Sequence, residues 1–391
     1  VTGTQTRQDA PPGWLVLLLA VSCGLTVANL YYAQPLLAEL RHTFGVGEAA
    51  AGGIVTATQV GYAAGMLLLV PLGDRLENRT LVSTLLAVTC AGLVVTGLAP
   101  GFAVLLLASL LVGATSVVVQ ILIPFAADLA PDHIRGRIVG RVVSGLVFGI
   151  LLSRVISSLL AEITSWRVVF LVSAGAMAVL AVVLRFSLPK RAPKTDVGYR
   201  ELIRSTLAMA KKYPALRHRA LFQSAMYGAF SAFWTTIAFV LTAPPFEYSQ
   251  LGVGLFALAG AGGALIAPLA GRWADHGHGR RLTATAFVVA AVAFAVAGFG
   301  AHSVILLAIA AIAIDAAVQA TLVVGQHTIY QLDPSARARI NSIYLATFFV
   351  GGAIGSQAGS IAYHLGGWTA VTVFAGVLPL LALAGMTRTR T

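Results

Sequence analysis

Apolar residues run through this chain in stretches of about twenty, and polar and basic residues collect in the short gaps between them. A stretch of that length is what a helix needs to cross a hydrocarbon layer about 30 Å thick, at about 1.5 Å per residue. In lipid each backbone N–H and C=O must be satisfied within its own segment, so the runs are helices. The strict alternation of a transmembrane barrel strand is missing. The pattern predicts twelve spans, at 14–38, 49–72, 81–98, 103–127, 142–161, 168–184, 220–243, 250–270, 282–300, 303–325, 340–363 and 368–386. One longer polar segment, 187–218, separates six spans from six. The expectation is an all-α membrane protein of twelve transmembrane helices in two pseudo-symmetric six-helix bundles. A tail (1–13), a first bundle (14–186), a linker (187–218), a second bundle (219–387) and a final tail (388–391) make up the plan. The first apolar run is too long for the core of a cleaved signal and reads as a retained span.

Composition agrees with that pattern. Of 391 residues 58% are hydrophobic and 10% charged, with a mean hydropathy of +0.86, against about 25% charged residues in soluble domains. The net charge of +12 does not form a patch that would suit nucleic acid; the basic residues sit in the gaps between spans. With an even number of spans both ends share a face. That face receives Arg7, Arg75, Arg79, Arg135, Arg137, Arg141, Arg272, Arg280, Arg281, Arg337, Arg339, Arg388 and Arg390. It also receives Arg185, Lys190, Arg191, Lys194, Arg200, Arg204, Lys211, Lys212, Arg217 and Arg219 around the linker. The other face receives only Arg41 and Arg167, so of the 26 basic residues all but Arg154 fall in a gap or at a span end. The positive-inside rule then makes both termini cytoplasmic, in a bacterial inner or plasma membrane. Within the linker, 199–213 has helical spacing and a basic face; a helix on the membrane surface and a plain tether are both open. Cys23 and Cys90 lie inside apolar runs and read as small buried hydrophobes.

The two sets of six repeat each other. Pro71-Leu72-Gly73-Asp74-Arg75, continuing to Arg79, is echoed by Gly271-Arg272-Trp273-Ala274-Asp275, continuing to Arg280-Arg281. Segment 131–138 is echoed by 333–340, and Ser165-Trp166-Arg167 by Gly367-Trp368-Thr369. Several echoes at one offset indicate a duplicated plan, and duplicated membrane halves place a site between them. Asp74 ends a helix, where the dipole disfavours an anion. The start of span eleven, near Asn341, would offer it a positive helix end.

On these motifs the chain resembles the major facilitator superfamily of secondary transporters over nearly its whole length. The resemblance implies a gating role for Gly73, Asp74, Arg75 and Arg79, and for Asp275, Arg280 and Arg281 in the second copy. The first hinge departs from the family's pattern at Glu77 and Asn78. Span one, with Asn29-Leu30-Tyr31-Tyr32-Ala33-Gln34-Pro35-Leu36, looks like a bacterial efflux-type branch. Two places differ from the drug–proton antiporters. Gly149, Ser153, Arg154, Ser157 and Ser158 occupy their span-five signature, with arginine where proline is usual. Ser109 stands where span four commonly carries an arginine, so proton coupling falls to other groups.

Arg154 and Asp315 are the two charges in the middle of spans, each costing about 2.5–3.5 kcal/mol on insertion scales. They are expected to face a central cavity and either pair with each other or exchange partners with substrate and proton; a static salt bridge is the plainer alternative. Polar and aromatic residues on spans one, two, four, seven and ten complete the expected substrate cavity: Asn29, Tyr32, Gln59, Ser116, Gln120, Ser224, Tyr227, Ser231, Trp234 and Gln319. Gln326 continues the span-ten face. The small-residue runs around Gly254, Gly260 and Gly263, and around Gly351, Gly355 and Gly359, let helices approach closely. His276-Gly277-His278 offers too few ligands for a metal. With no nucleotide-phosphate loop and no nucleophile–base pair, neither an enzyme nor an ATP-driven pump is expected, and no cofactor. The expected activity is export of a small drug-like or metabolite compound by alternating access, coupled to proton entry, by a monomer whose partners are that compound, the proton and lipid. The alternative is transport of an organic anion with Arg154 as counter-charge. A non-transporting sensor is disfavoured, because there is no sizeable soluble domain to pass on a signal.

Overall fold

The chain's glycines and prolines set where its rods stop. A computed structural model describes residues 10–191, 197–264, 266–333 and 336–388; Arg7, Lys194, Pro334, Ser335 and Arg390 lie outside the described residues. Span one is two helices, Gly13–Ala28 and Leu37–Phe44, joined by a chain of turns through Pro35 and stopped at Gly45 by a left-handed φ of +62°. Span two is Glu48–Leu68, tightened into a 3-10 turn at Val70–Asp74. Spans three, five and six are Asn78–Gly97, Arg135–Ile163 and Trp166–Ser187, while span four is Phe102–Thr115 followed by Val118–Leu129. The linker forms a helix, Tyr199–Lys212. Span seven, Pro214–Thr242, begins with proline in its first turn, where no N–H is needed. Span eight comes in three pieces, Gln250–Phe256, Ala259–Ala264 and Ala267–Asp275. Spans nine and ten are Gly279–Phe299 and Val304–Tyr330. Spans eleven and twelve lie in Arg337–Arg388, parted at Gly366 and Gly367, the latter at a φ of +63°.

Among the described residues twelve crossings thus stand where the apolar runs predicted them. Spans five and seven begin several residues before their apolar runs, because the helix carries Arg135, Arg137, Arg141, Arg217 and Arg219 beyond the apolar layer. The outside of the bundle is apolar too: Phe186, Phe299 and Leu365 are 80%, 84% and 78% exposed, a surface suited to lipid. Span seven, by contrast, is enclosed on nearly every side.

Close approach of backbones decides which rods pair. A Cβ at Gly149 would lie 2.2 Å from the Gly24 carbonyl oxygen, so spans one and five touch main chain to main chain. A Cβ at Gly355 would lie 2.0 Å from the Gly228 oxygen, doing the same for spans seven and eleven. The repeat reappears as matched anchors. Trp166 and Trp368 are both buried at the starts of spans six and twelve. Arg167 donates to the carbonyls of Gly97 and Ala99 at 3.0 and 3.2 Å, and Trp368 donates to that of Ala297 at 2.7 Å. The main contacts between the first six spans and the last six are span two on eleven and span five on eight.

Candidate transport site

The centre of the molecule is organised on Trp234 of span seven. Its Nε1–H donates to Asp315 Oδ1 of span ten at 2.8 Å. Its ring carries the Arg154 guanidinium of span five, 4.2 Å from the ring centre. Tyr31 and Phe230 close around the same cation at 5.2 and 5.9 Å. The direct ion pair is therefore absent: the indole stands between the two charges and touches both. A desolvated guanidinium over a ring gains about 2 kcal/mol, which offsets part of the cost of placing Arg154 there, only 2% exposed. Its Nε donates to Gln34 Oε1 at 3.0 Å. Arg154 Nη2 and Gln34 Nε2 have no hydrogen-bond partner; each orphaned buried donor costs about 1–3 kcal/mol.

The glycine run of span eight packs against these charges. A Cβ at Gly260 would lie 2.5 Å from Asp315 Oδ2, and one at Gly263 2.4 Å from Asp315 Cβ. At Gly254 it would meet Ser158 Cβ of span five at 2.4 Å. The same layer holds Gln59, which donates to Ser231 at 3.0 Å and leaves its own Oε1 unpartnered. Tyr227 stacks on Phe348 with ring centres 3.6 Å apart, its hydroxyl beside that of Tyr31 without a well-formed hydrogen bond.

Other expected cavity residues sit elsewhere. Asn29 accepts from Ser173 at 2.7 Å and reaches Met177, and Tyr32 also neighbours Ser173, so both face span six. Ser116 bonds the Val112 carbonyl of its own helix at 2.7 Å, and Ser224 fills the contact with Gly351. Gln120 donates to the Tyr62 hydroxyl at 3.2 Å. Gln319 is partly exposed on span ten. Gln34, Tyr31 and Phe230, not singled out from sequence, join the central group instead. Gln34 lies in the broken part of span one, where no helical stripe can be read.

The two ends of the bundle differ. Twelve crossings bring Ala10 and Arg388 to the face that carries the linker helix, here called the linker face. On the opposite face Glu48 lies between Arg41 and His364, at 3.0 and 3.1 Å, tying span two to span eleven. Gln357 reinforces that tie by donating to the Ala49 carbonyl at 2.9 Å. Spans five and eight are held by the Leu251 N–H on Glu162 at 3.1 Å, and Gln250 donates across to the Pro35 carbonyl at 2.6 Å. On the linker face a cleft of about 90 Å³ opens among Gly73, Asp74, Gln120, Phe125, Arg339 and Leu202 of the linker helix. A bundle shut at one end and cleft at the other, with charges at its middle, is the geometry of a carrier.

The sequence profile of the Major Facilitator Superfamily matches residues 17–264 and 247–391. The chain belongs to the Major Facilitator Superfamily. It is similar to YgaY of Escherichia coli, described as an uncharacterized transporter, with 40% identity over 97% of this chain and 96% of that one. A probable transporter of Streptomyces coelicolor is 33% identical over 92% of this chain and 84% of its own. Among solved structures, the bacterial homolog of the human lysosomal transporter Spinster, inward-facing and occupied, superposes with a TM-score of 0.77 at 15% identity, over 96% of each chain. That likeness speaks to the fold.

In this superfamily member the hinge residues are placed as follows. Asp74 shares the linker-face cleft with Ala338, Arg339 and Ser342 at the start of span eleven, without a hydrogen bond or ion pair to them. Asn341 instead accepts from Gln326 and Tyr330 of span ten at 3.3 and 3.1 Å. Gly73 lines the same cleft, Arg75 is exposed, and Arg79 lies 3.7 Å from Glu77. The Thr80 hydroxyl, then Arg79, hold the Glu77 carboxyl below the usual carboxylate range. In the second copy Asp275 meets His327 at 3.2 Å, Arg280 donates to the Met386 carbonyl at 3.3 Å, and Arg281 is exposed. The linker helix proves to be more than a tether. Tyr199 donates to the Leu68 carbonyl at 2.8 Å, while Tyr213 and Lys212 reach Asp333 at 3.0 and 3.8 Å.

Proposed function

We propose that the chain exports a small organic compound, a metabolite or drug-like molecule, by alternating access and in exchange for protons. The observation that carries this reading is the indole of Trp234 holding Asp315 at its edge and Arg154 on its face. An ionised Asp315 balances Arg154 across the ring and accepts a charge-assisted bond from Trp234, about twice as strong as a neutral one. A proton on Asp315 removes that balance and weakens the bond. Arg154 is then free to respond on span five, which packs on span eight at the closed end. Charge change at the centre thereby biases a bistable contact at the end of the bundle.

In this reading bundles 14–186 and 219–387 rock about the centre in a single chain, without a second copy. The linker face, rich in Arg and Lys, lies in the cytoplasm, and the membrane is the bacterial inner or plasma membrane. The inner layer of Arg154, Gln59, Tyr227, Ser231, Trp234 and Asp315 meets the compound, while Asn29, Tyr32, Ser116 and Ser224 pack the walls. Asp74 closes on the helix start at Ala338 and Arg339 when the cleft shuts, with Gly73, Arg75, Arg79, Asp275, Arg280 and Arg281 shaping the two hinges. The resemblance of span one to efflux proteins supports export, as does a cleft that opens on the basic face.

Proteoliposomes with an imposed pH gradient test it. Asp315→Asn is expected to lower gradient-driven transport about a hundredfold, the loss that about 2.7 kcal/mol of coupling represents, and to leave whatever transport remains indifferent to the gradient. Undiminished gradient-driven transport in that variant would reject the reading.

A further inference from the structure

We propose, on the basis of the proton-exchange reading above, that the transported compound is a zwitterion. Its carboxylate is held by Arg154 and Gln34 and its cationic group by Asp315. Arg154 Nη2 and Gln34 Nε2 are N–H donors without an acceptor, on side chains each 2% exposed. The bond from Arg154 Nε to Gln34 Oε1 ties the two side chains together, so the spare donors are presented as a pair. Two N–H groups side by side are the pattern a carboxylate accepts in bidentate fashion.

The other side of Trp234 has the opposite need. Asp315 gives Oδ1 to the indole, and its Oδ2 has no hydrogen bond among the described residues. Gln59 Oε1 is a second acceptor without a donor, in the layer shared with Tyr227. Donors without acceptors thus lie at Arg154 and Gln34 and acceptors without donors at Asp315 and Gln59, while the Tyr227 hydroxyl, also unpartnered, can serve as either. The rings of Tyr31 and Phe230 stand around the Arg154 cation, and Tyr227 stacks on Phe230, so these polar groups are set among aromatic faces. A molecule with one anionic and one cationic end meets both sets and leaves the interior neutral.

Exchange chemistry selects the same class. A cationic group at Asp315 competes with the proton for the same carboxylate, so binding expels the proton, as exchange requires. A simple anion at Arg154 would strip Asp315 of its balancing charge and draw a proton in, giving cotransport. A simple cation would leave the Arg154 and Gln34 donors unmet.

Titration calorimetry on the purified full chain in detergent tests the assignment with defined probes. Phenylalanine carries its two charged groups on a single carbon, and 4-(aminomethyl)benzoate carries them across a ring; benzoate, benzylamine and benzyl alcohol are the comparators. One of the two zwitterions is expected to bind about tenfold or more tightly than every comparator, the discrimination given by about 1.4 kcal/mol. Its binding should release a proton to the buffer in the native chain and not in Asp315→Asn. Arg154→Gln should reduce its affinity to that of benzylamine, and Asp315→Asn to that of benzoate. Gln34→Leu, which keeps both charges, should weaken it about fivefold and serves if Arg154→Gln does not fold. A comparator that binds as tightly as both zwitterions overturns the proposal, as does unchanged affinity in a folded Arg154→Gln or Gln34→Leu chain. None of these measurements uses a gradient, so failure of the exchange reading is seen separately, in Asp315→Asn vesicles that still follow the pH gradient.

Discussion

An indole has a donor at its edge and a negative face, and Trp234 uses both at once. Phenylalanine at this position would keep a face for Arg154 and lose the N–H to Asp315. Trp234→Phe is expected to fold with a melting temperature lowered by a few degrees, the orphaned carboxylate oxygen costing about 1–3 kcal/mol. Transport driven by a pH gradient should fall about tenfold, and by more than exchange at equal pH, because the variant cuts the link to the acid while keeping a ring face. Paired vesicle assays check this. At this scale the sequence was half legible. Arg154 and Asp315 stand out because a charge inside an apolar run is expensive. Trp234 is read there only as one cavity residue among several; its place between the two charges is hidden, because its partners depend on how spans five, seven and ten are turned about their axes. Gln34 is hidden for another reason: Pro35 breaks the helical period around it, so no stripe points to where its amide goes.

Among the elements, span eight is the one most shaped by its neighbours. Its three short pieces, with glycines at 254, 260 and 263, let it press on Ser158 and Asp315. Read as sequence, those glycines announce close packing but not against what. Gly263→Ala would push a methyl to within 2.4 Å of Asp315 Cβ and 2.6 Å of the Ala316 amide nitrogen, a main-chain clash that flexing a side chain cannot relieve. Overpacking of this kind costs about 1–3 kcal/mol, so the variant should melt several degrees lower; Gly277→Ala fails as a control because its φ of +78° is itself strained. Gly136→Ala, with open space around the new methyl, should melt near the native temperature. Spans two, three, six, nine and ten, by contrast, were legible to within a few residues, since a long apolar run and its basic flank determine a crossing almost alone. Spans one and eight were not legible as broken rods, because their turns lie inside apolar sequence.

For the whole molecule, the two ends of the bundle are held unequally. Glu48, Arg41 and His364 bind one end together, while Asp74 at the other has the helix start of span eleven in view but not in hand. A partly exposed ion pair is worth about 0.2–1 kcal/mol, enough to move a two-state equilibrium by up to about fivefold. Glu48→Gln should therefore raise the population open at that end by up to that factor, measurable as a longer distance between spin labels on spans two and eleven near that face; an unchanged distribution would show the tie to be idle. Neither partner was foreseen, since Arg41 and His364 are far apart in sequence and a lone histidine at a span end carries no motif. The linker helix is pinned to the Leu68 carbonyl on one side and to Asp333 on the other, and so lies across the mouth of the cleft like a bar across a doorway. With Leu202 and Thr206 of that bar on the rim of the cleft, a compound leaving the cytoplasm by this door, as the export reading has it, would have to slip past the helix before it met the central layer.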